Sequence, residues 1–241
     1  MLFLLIFVAA GGGLLRSFGQ VEAFVLEGSQ TSYAQFRKWY SSPNASLEFE
    51  FMTSEPNGLL LYTDDGGYYD FLEVKLVDGG LRVRLNLGSG AQVVDLGRDL
   101  EKGFTWHKVS IARNYSKTVV RLDNSLETVL PDANKFRSAA AAGVKKSLSG
   151  ENGLEFGSNF SANSFVYVGG LPSFYSARLS SLALPSAVFE PRFRGSIRNI
   201  VYADDETGRP RRQEVMAYKV SFEPDFHCRR RRDDYYFARL E

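Results

Sequence analysis

The chain has 241 residues, 44% hydrophobic and 24% charged, with 29 Lys and Arg against 28 Asp and Glu. That composition fits a folded protein with room for one sizeable domain, and it sets aside disordered and collagenous classes. The near balance of charge removes any whole-chain field that would draw nucleic acid or a membrane surface, and a single cysteine, Cys228, sets aside a disulfide framework.

Met1 to Ala10 is almost wholly apolar, Gly11 to Gly13 interrupt the run, and Val21-Glu22-Ala23 has the spacing a signal peptidase favours. A signal peptide is expected over 1–23. The alternative, a membrane anchor, needs about 20 apolar residues, and the run falls short. No other segment is apolar enough to span a bilayer. Three glycosylation sequons, at Asn44, Asn114 and Asn159, agree with export.

From Leu47 onward the hydrophobic period is two, as in strands with one buried and one wet face. Leu47, Phe49 and Phe51 alternate with Glu48 and Glu50; Leu72, Val74 and Leu76 with Glu73 and Lys75; Leu81, Val83, Leu85 and Leu87 with Arg82, Arg84 and Asn86. Asp78-Gly79-Gly80 and Asp64-Asp65-Gly66-Gly67 supply turns, since glycine tolerates the positive φ that tight hairpins demand. Further strands are expected over 106–113, 118–122, 165–169 and 193–202, with 114–117 as a hairpin loop. Many short strands without a long helix predict an all-β antiparallel sandwich.

Residues 131–163 break this rhythm with Ala139 to Ala142, serines and glycines, and read as a long loop, functional or disordered. After Tyr202 the pattern fades. The domain is therefore set at 24–207, with 208–241 as a charged tail. Its Arg209, Arg211, Arg212 and Arg229 to Arg232 are read as a solvated surface, with heparan sulfate, acidic lipid and convertase cleavage as alternatives.

The run from Gly58 through Leu59-Leu60-Leu61-Tyr62-Thr63-Asp64-Asp65-Gly66-Gly67-Tyr68-Tyr69-Asp70 to Phe71-Leu72-Glu73-Val74-Lys75-Leu76, followed by Gly80-Leu81-Arg82-Val83-Arg84-Leu85, resembles the laminin G-like (LNS) domain. Trp106-His107-Lys108-Val109, Val168-Gly169-Gly170-Leu171-Pro172 and Phe193-Arg194-Gly195-Ser196-Ile197-Arg198 follow in the same order. With Leu26-Glu27-Gly28 and Phe36-Arg37-Lys38-Trp39, the chain is most similar to the first LNS domain of alpha-neurexins over about residues 24–205. The resemblance implies a jelly-roll, concanavalin-like sandwich that acts in extracellular adhesion. In intact family members it implies a presynaptic membrane protein with further LNS and EGF-like domains. Cys228 then reads as the first cysteine of an EGF-like module, or as part of a divergent tail.

The resemblance also implies a calcium site on one rim, with Asp70 as carboxylate ligand and Leu87 at the spacing of the backbone-carbonyl ligand. Asn159 and Ser161 fall near the third ligand loop, although the local sequence there departs from the family motif and a glycan on Asn159 would compete with ligation. The plainer reading is that Asp70 caps a strand. Trp106 is expected as a core aromatic and His107 as structural. Gly169-Gly170 is read as a turn that a β-carbon would obstruct.

No G-x-S-x-G, P-loop, G-x-G-x-x-G or C-x-x-C occurs, and no carboxylate pair suggests a glycosidase, so no catalysis is expected. The expected function is extracellular recognition of cell-surface proteins or glycans. A secreted lectin and a soluble decoy for neurexin partners are the alternatives.

Overall fold

The computed structural model describes residues 23–87, 90–114, 117–129, 165–205 and 207–219. Fourteen strands among them follow in chain order. These are β1 (Phe24–Glu27), β2 (Tyr33–Phe36), β3 (Ser46–Met52), β4 (Gly58–Asp64), β5 (Phe71–Val77), β6 (Gly80–Asn86) and β7 (Gln92–Leu96). Then come β8 (His107–Asn114), β9 (Lys117–Leu122), β10 (Ser125–Val129), β11 (Val166–Val168), β12 (Arg194–Ala203), β13 (Arg211–Arg212) and β14 (Ala217–Lys219).

They form two antiparallel sheets. One runs β1-β12-β3-β8-β9-β10, with β13 also paired to β12; the other runs β14-β2-β11-β4-β5-β6-β7. The alternation read in the sequence is what packs them. Leu47, Phe49 and Phe51 of β3, with Val109 and Ile111 of β8, face Leu72, Val74, Leu81 and Val83 of the opposite sheet, all at most 1% exposed. The Asp78-Gly79 turn between β5 and β6 has positive φ at both residues, as a tight hairpin requires.

Four features correct or extend the reading of the sequence. First, β5 has no wet face: Glu73 is fully buried and Lys75 nearly so. Three 3-10 turns, Ser173–Ala177, Leu179–Ser181 and Pro185–Phe189, are joined to the outer face of β4 and β11 by a second apolar cluster of Leu59, Tyr62, Tyr167, Leu171, Tyr175, Leu182 and Ala187. No period in the strands themselves announces a covering that arrives a hundred residues later.

Second, Trp106 is only half-buried. It lies just before β8, with the Arg198 guanidinium 3.9 Å above its ring, a cation–π stack on the outer face. The core tryptophan is Trp39, fully buried, whose Nε1 donates to the Ser46 carbonyl at 3.1 Å.

Third, residues past 207 are not all tail. β13 pairs Arg211 and Arg212 with Tyr202 and Val201, and β14 pairs 217–219 with 33–35 of β2. Fourth, β1, β2, β7 and β10 join strands that the two-residue period does not mark, because each is short or lies at or near a sheet edge.

The readings of His107 and of Gly169-Gly170 agree with the structure. His107 Nδ1 meets the Asp123 carboxylate at 2.8 Å, and its ring packs against Phe51. Gly169 has φ +81°, and a β-carbon on Gly170 would meet the Ser32 carbonyl oxygen at 2.7 Å.

Candidate functional site

The rim at the β4–β5 loop is built on two consecutive aspartates with opposite tasks. Asp64 turns inward: Oδ2 accepts from the Tyr62 hydroxyl at 2.8 Å and from the Ala183 amide at 2.9 Å, and Oδ1 accepts from the Gly66 amide at 3.0 Å. It thereby ties the loop to the segment that covers the second sheet. Burial pushes its carboxyl above the usual range, with the hydrogen bonds opposing that shift.

Asp65 turns along the loop. Its carboxylate accepts from the amides of Tyr68 at 2.8 Å, Tyr69 at 3.0 Å and Asp70 at 3.1 Å, and its own amide donates to the Asp70 carbonyl at 3.0 Å. The Tyr69 carbonyl is held in turn by Asn86 Nδ2 at 3.1 Å. A loop tied at so many points presents two large side chains to solvent, Tyr68 at 64% and Tyr69 at 78% exposed. Both belong to the run that carries the family resemblance, yet sequence alone assigns them no role, since exposed and buried tyrosines read alike in a glycine-rich turn.

Asp70 and Leu87 come to the same rim. Phe71 pairs with Asn86 in the β5–β6 ladder, so Asp70 and Leu87 are the next residues outward on the two strands. Asp70 is half-buried and Leu87 is buried. Asn159 and Ser161 lie outside the described residues.

A residue that sequence reasoning passed over joins them. Arg113, near the end of β8 in the other sheet, has its amide fixed on the Ala45 carbonyl at 2.8 Å, and its buried guanidinium donates from Nη1 to the Leu87 carbonyl at 3.2 Å. Burial lowers the Arg113 pKa, and the attraction of the Asp70 carboxylate opposes that shift. The signal that could have found it is a lone basic residue on the inward phase of a strand, following Val109 and Ile111.

Asp70 and the Leu87 carbonyl bring oxygen groups of the kind calcium takes, and the Arg113 guanidinium, which donates to that carbonyl, adds a positive charge that the Asp70 carboxylate opposes. Among the described residues no three His, Cys, Asp or Glu side chains gather as a metal cluster elsewhere.

Two of the three sequon asparagines are exposed and lie beside this rim: Asn114 follows Arg113, and Asn44 precedes the Ala45 that binds the Arg113 amide. Arg209, Arg211 and Arg212 are also exposed, whereas Arg229 to Arg232, Cys228 and the 131–163 loop lie outside the described residues. No helix of the described residues is long and apolar enough to cross a membrane.

A family model for the Laminin G domain matches residues 51–205. Neurexin 1 of Drosophila melanogaster is 49% identical over 207 residues, covering 86% of this chain and 10% of that protein. Neurexin-2 of Rattus norvegicus is 33% identical over 189 residues, 78% of this chain and 10% of that protein. The chain thus spans about a tenth of the length of these relatives. Domains LG4-5 of the mouse laminin alpha1 chain superpose with a TM-score of 0.53 at 17% identity, covering 85% of this chain and 44% of that one. The LG1-3 region of the laminin alpha2 chain superposes with a TM-score of 0.53 at 22% identity, covering 75% of this chain and 30% of that one. Likeness at that level carries the fold alone.

Proposed function

The chain belongs to the laminin G domain family, and on that premise we propose that it is an extracellular recognition module of the neurexin type. It binds a protein or glycan at the cell surface through the rim that carries Tyr68 and Tyr69. The supporting observation is the Asp65 cradle, which fixes the backbone beneath two exposed aromatic rings. Tyrosine suits such a role: it covers a large contact area with few rotatable bonds, so ordering it costs little on binding. The leader expected over 1–23 and the exposed Asn44 and Asn114 support secretion as the route to that location.

The test applies the full chain, secreted and tagged, to the surface of cultured neurons and compares it with Tyr68→Ser/Tyr69→Ser. Loss of surface retention by tenfold or more, about 1.4 kcal/mol, supports the rim as the contact. Equal retention, with both proteins folded, overturns it. The lectin alternative uses the same rings, which can stack on sugar; sulfate-independent retention on a glycan array, absent on protein ligands, would favour it. The exposed Arg209, Arg211 and Arg212 would instead give retention on heparan sulfate that fades with salt.

A further inference from the structure

Asn44 and Asn114 stand seventy positions apart along the chain, and each opens a sequon, Asn44-Ala45-Ser46 and Asn114-Tyr115-Ser116. The fold brings them side by side. Ser46 pairs with Ala112 in the β3–β8 ladder, and the Arg113 amide carries that contact outward by donating to the Ala45 carbonyl at 2.8 Å. Asn44 and Asn114 are therefore the next residues outward on two neighbouring strands, whose spacing is about 4.8 Å. Both are exposed, whereas the residues that anchor them are not: Ala45 is 1% and Arg113 8% exposed. The Ala45 amide closes a turn on the Ser42 carbonyl at 3.0 Å, with the fixed φ of Pro43 inside it, and Asn114 pairs with Lys117 across the β8–β9 hairpin. Neither attachment point is free to swing away from the other.

We infer that glycans on Asn44 and Asn114 crowd one another once the domain folds, so that the pair leaves the cell carrying high-mannose chains where either one alone would be trimmed to complex form. The order of events decides this. Glycan transfer acts on the nascent chain, in which the two asparagines are far apart, so both are filled. Folding then draws them together before the trimming mannosidases act, and these enzymes must enclose a branch to hydrolyse it. A sugar ring is about as broad as the spacing between strands, so two branched glycans rooted this closely contend for one volume and each shields the other. The domain then carries, beside its rim, a patch of terminal mannose, the chemistry that a mannose-binding lectin reads. The inference rests on the extracellular route proposed above and is independent of any partner met by Tyr68 and Tyr69.

The experiment secretes the full chain from cultured mammalian cells and reads the glycan at each asparagine by glycopeptide mass spectrometry. Beside it run Asn44→Gln, Asn114→Gln and Ser46→Ala, the last of which deletes the first sequon and leaves Asn44 in place. In the unmodified chain the main species at Asn44, at Asn114 or at both is high-mannose. With either neighbour removed, the main species at the remaining site shifts to complex form, and Ser46→Ala does at Asn114 what Asn44→Gln does. Either of those two variants suffices should the other misfold. Complex glycans at both sites of the unmodified chain overturn the inference. So does a high-mannose glycan that persists unchanged when its neighbour is deleted, or a secreted chain with either site unfilled. Absence of the chain from the medium would instead refute the extracellular reading, and the inference with it.

Discussion

Replacing Tyr62 by phenylalanine removes one oxygen from a site where it serves two partners. The hydroxyl donates to Asp64 Oδ2 at 2.8 Å and accepts from the Leu184 amide at 3.2 Å, and both Tyr62 and Asp64 are at most 2% exposed. The substitution would leave a buried carboxylate short of one donor and a half-buried amide without an acceptor. A hydrogen bond to a charged group is worth about 1.5–3 kcal/mol and a stranded buried polar group costs about 1–3, so a loss of about 3 kcal/mol is expected. In a domain of this size each kcal/mol moves the melting temperature by about 2–4 °C, giving a fall of about 6–12 °C by circular dichroism at neutral pH.

The pH dependence gives the result a second dimension. Burial raises the folded-state pKa of Asp64 above its unfolded value, so protonation favours the folded chain. That contribution is complete below the unfolded pKa and is lost as pH rises through the folded one. The Tyr62 hydroxyl is one of the groups that lower the folded value, so Tyr62→Phe raises it further and moves the loss to higher pH. The penalty should therefore be largest at neutral pH and shrink on acidification, and Asp64→Asn should abolish that slope in a double-mutant cycle. A Tyr62→Phe protein that melts with the unmodified chain, or whose deficit is flat with pH, would refute the claim that this carboxylate pins the 3-10 segment to the sheet.

Lys75→Met strips fully buried Glu73 of a partner at 3.3 Å while Arg84, also at 3.3 Å, remains, and should cost about 3 kcal/mol in urea unfolding. An unchanged midpoint would show that Arg84 alone compensates Glu73; a partial recovery with Glu73→Gln would locate the cost in the charge. In protein secreted from eukaryotic cells, Asn44→Gln and Asn114→Gln should each remove one step of the gel shift produced by enzymatic deglycosylation. Mobility unaffected by either change would remove glycans from the rim.

The core strands were legible because they obey a local rule. In β3 and β6 every second side chain is buried, and a period of two is all a reader needs. The rule fails at β4 and β5 because their second face is covered by residues far along the chain, which turns Glu73 and Lys75 from surface residues into a buried ion pair. Trp106 misleads for the opposite reason: large and apolar, it meets a guanidinium at the surface, and the residue that decides this, Arg198, lies on another strand. At the rim, Asp70 and Leu87 could be placed from motif spacing. Arg113 could not, because its meaning lies in a carbonyl contributed by the other sheet.

The pairing of β13 and β14 bears on how the domain should be handled as a recombinant fragment. Cutting after residue 207 would strip the hydrogen-bonding edge of β2 along 33–35 and free Val201 and Tyr202 of β12 on their β13 side. Bare edges of this kind invite pairing between molecules. A fragment carried to residue 219 keeps both edges capped by the chain's own backbone, and should remain monomeric at concentrations where the shorter one self-associates.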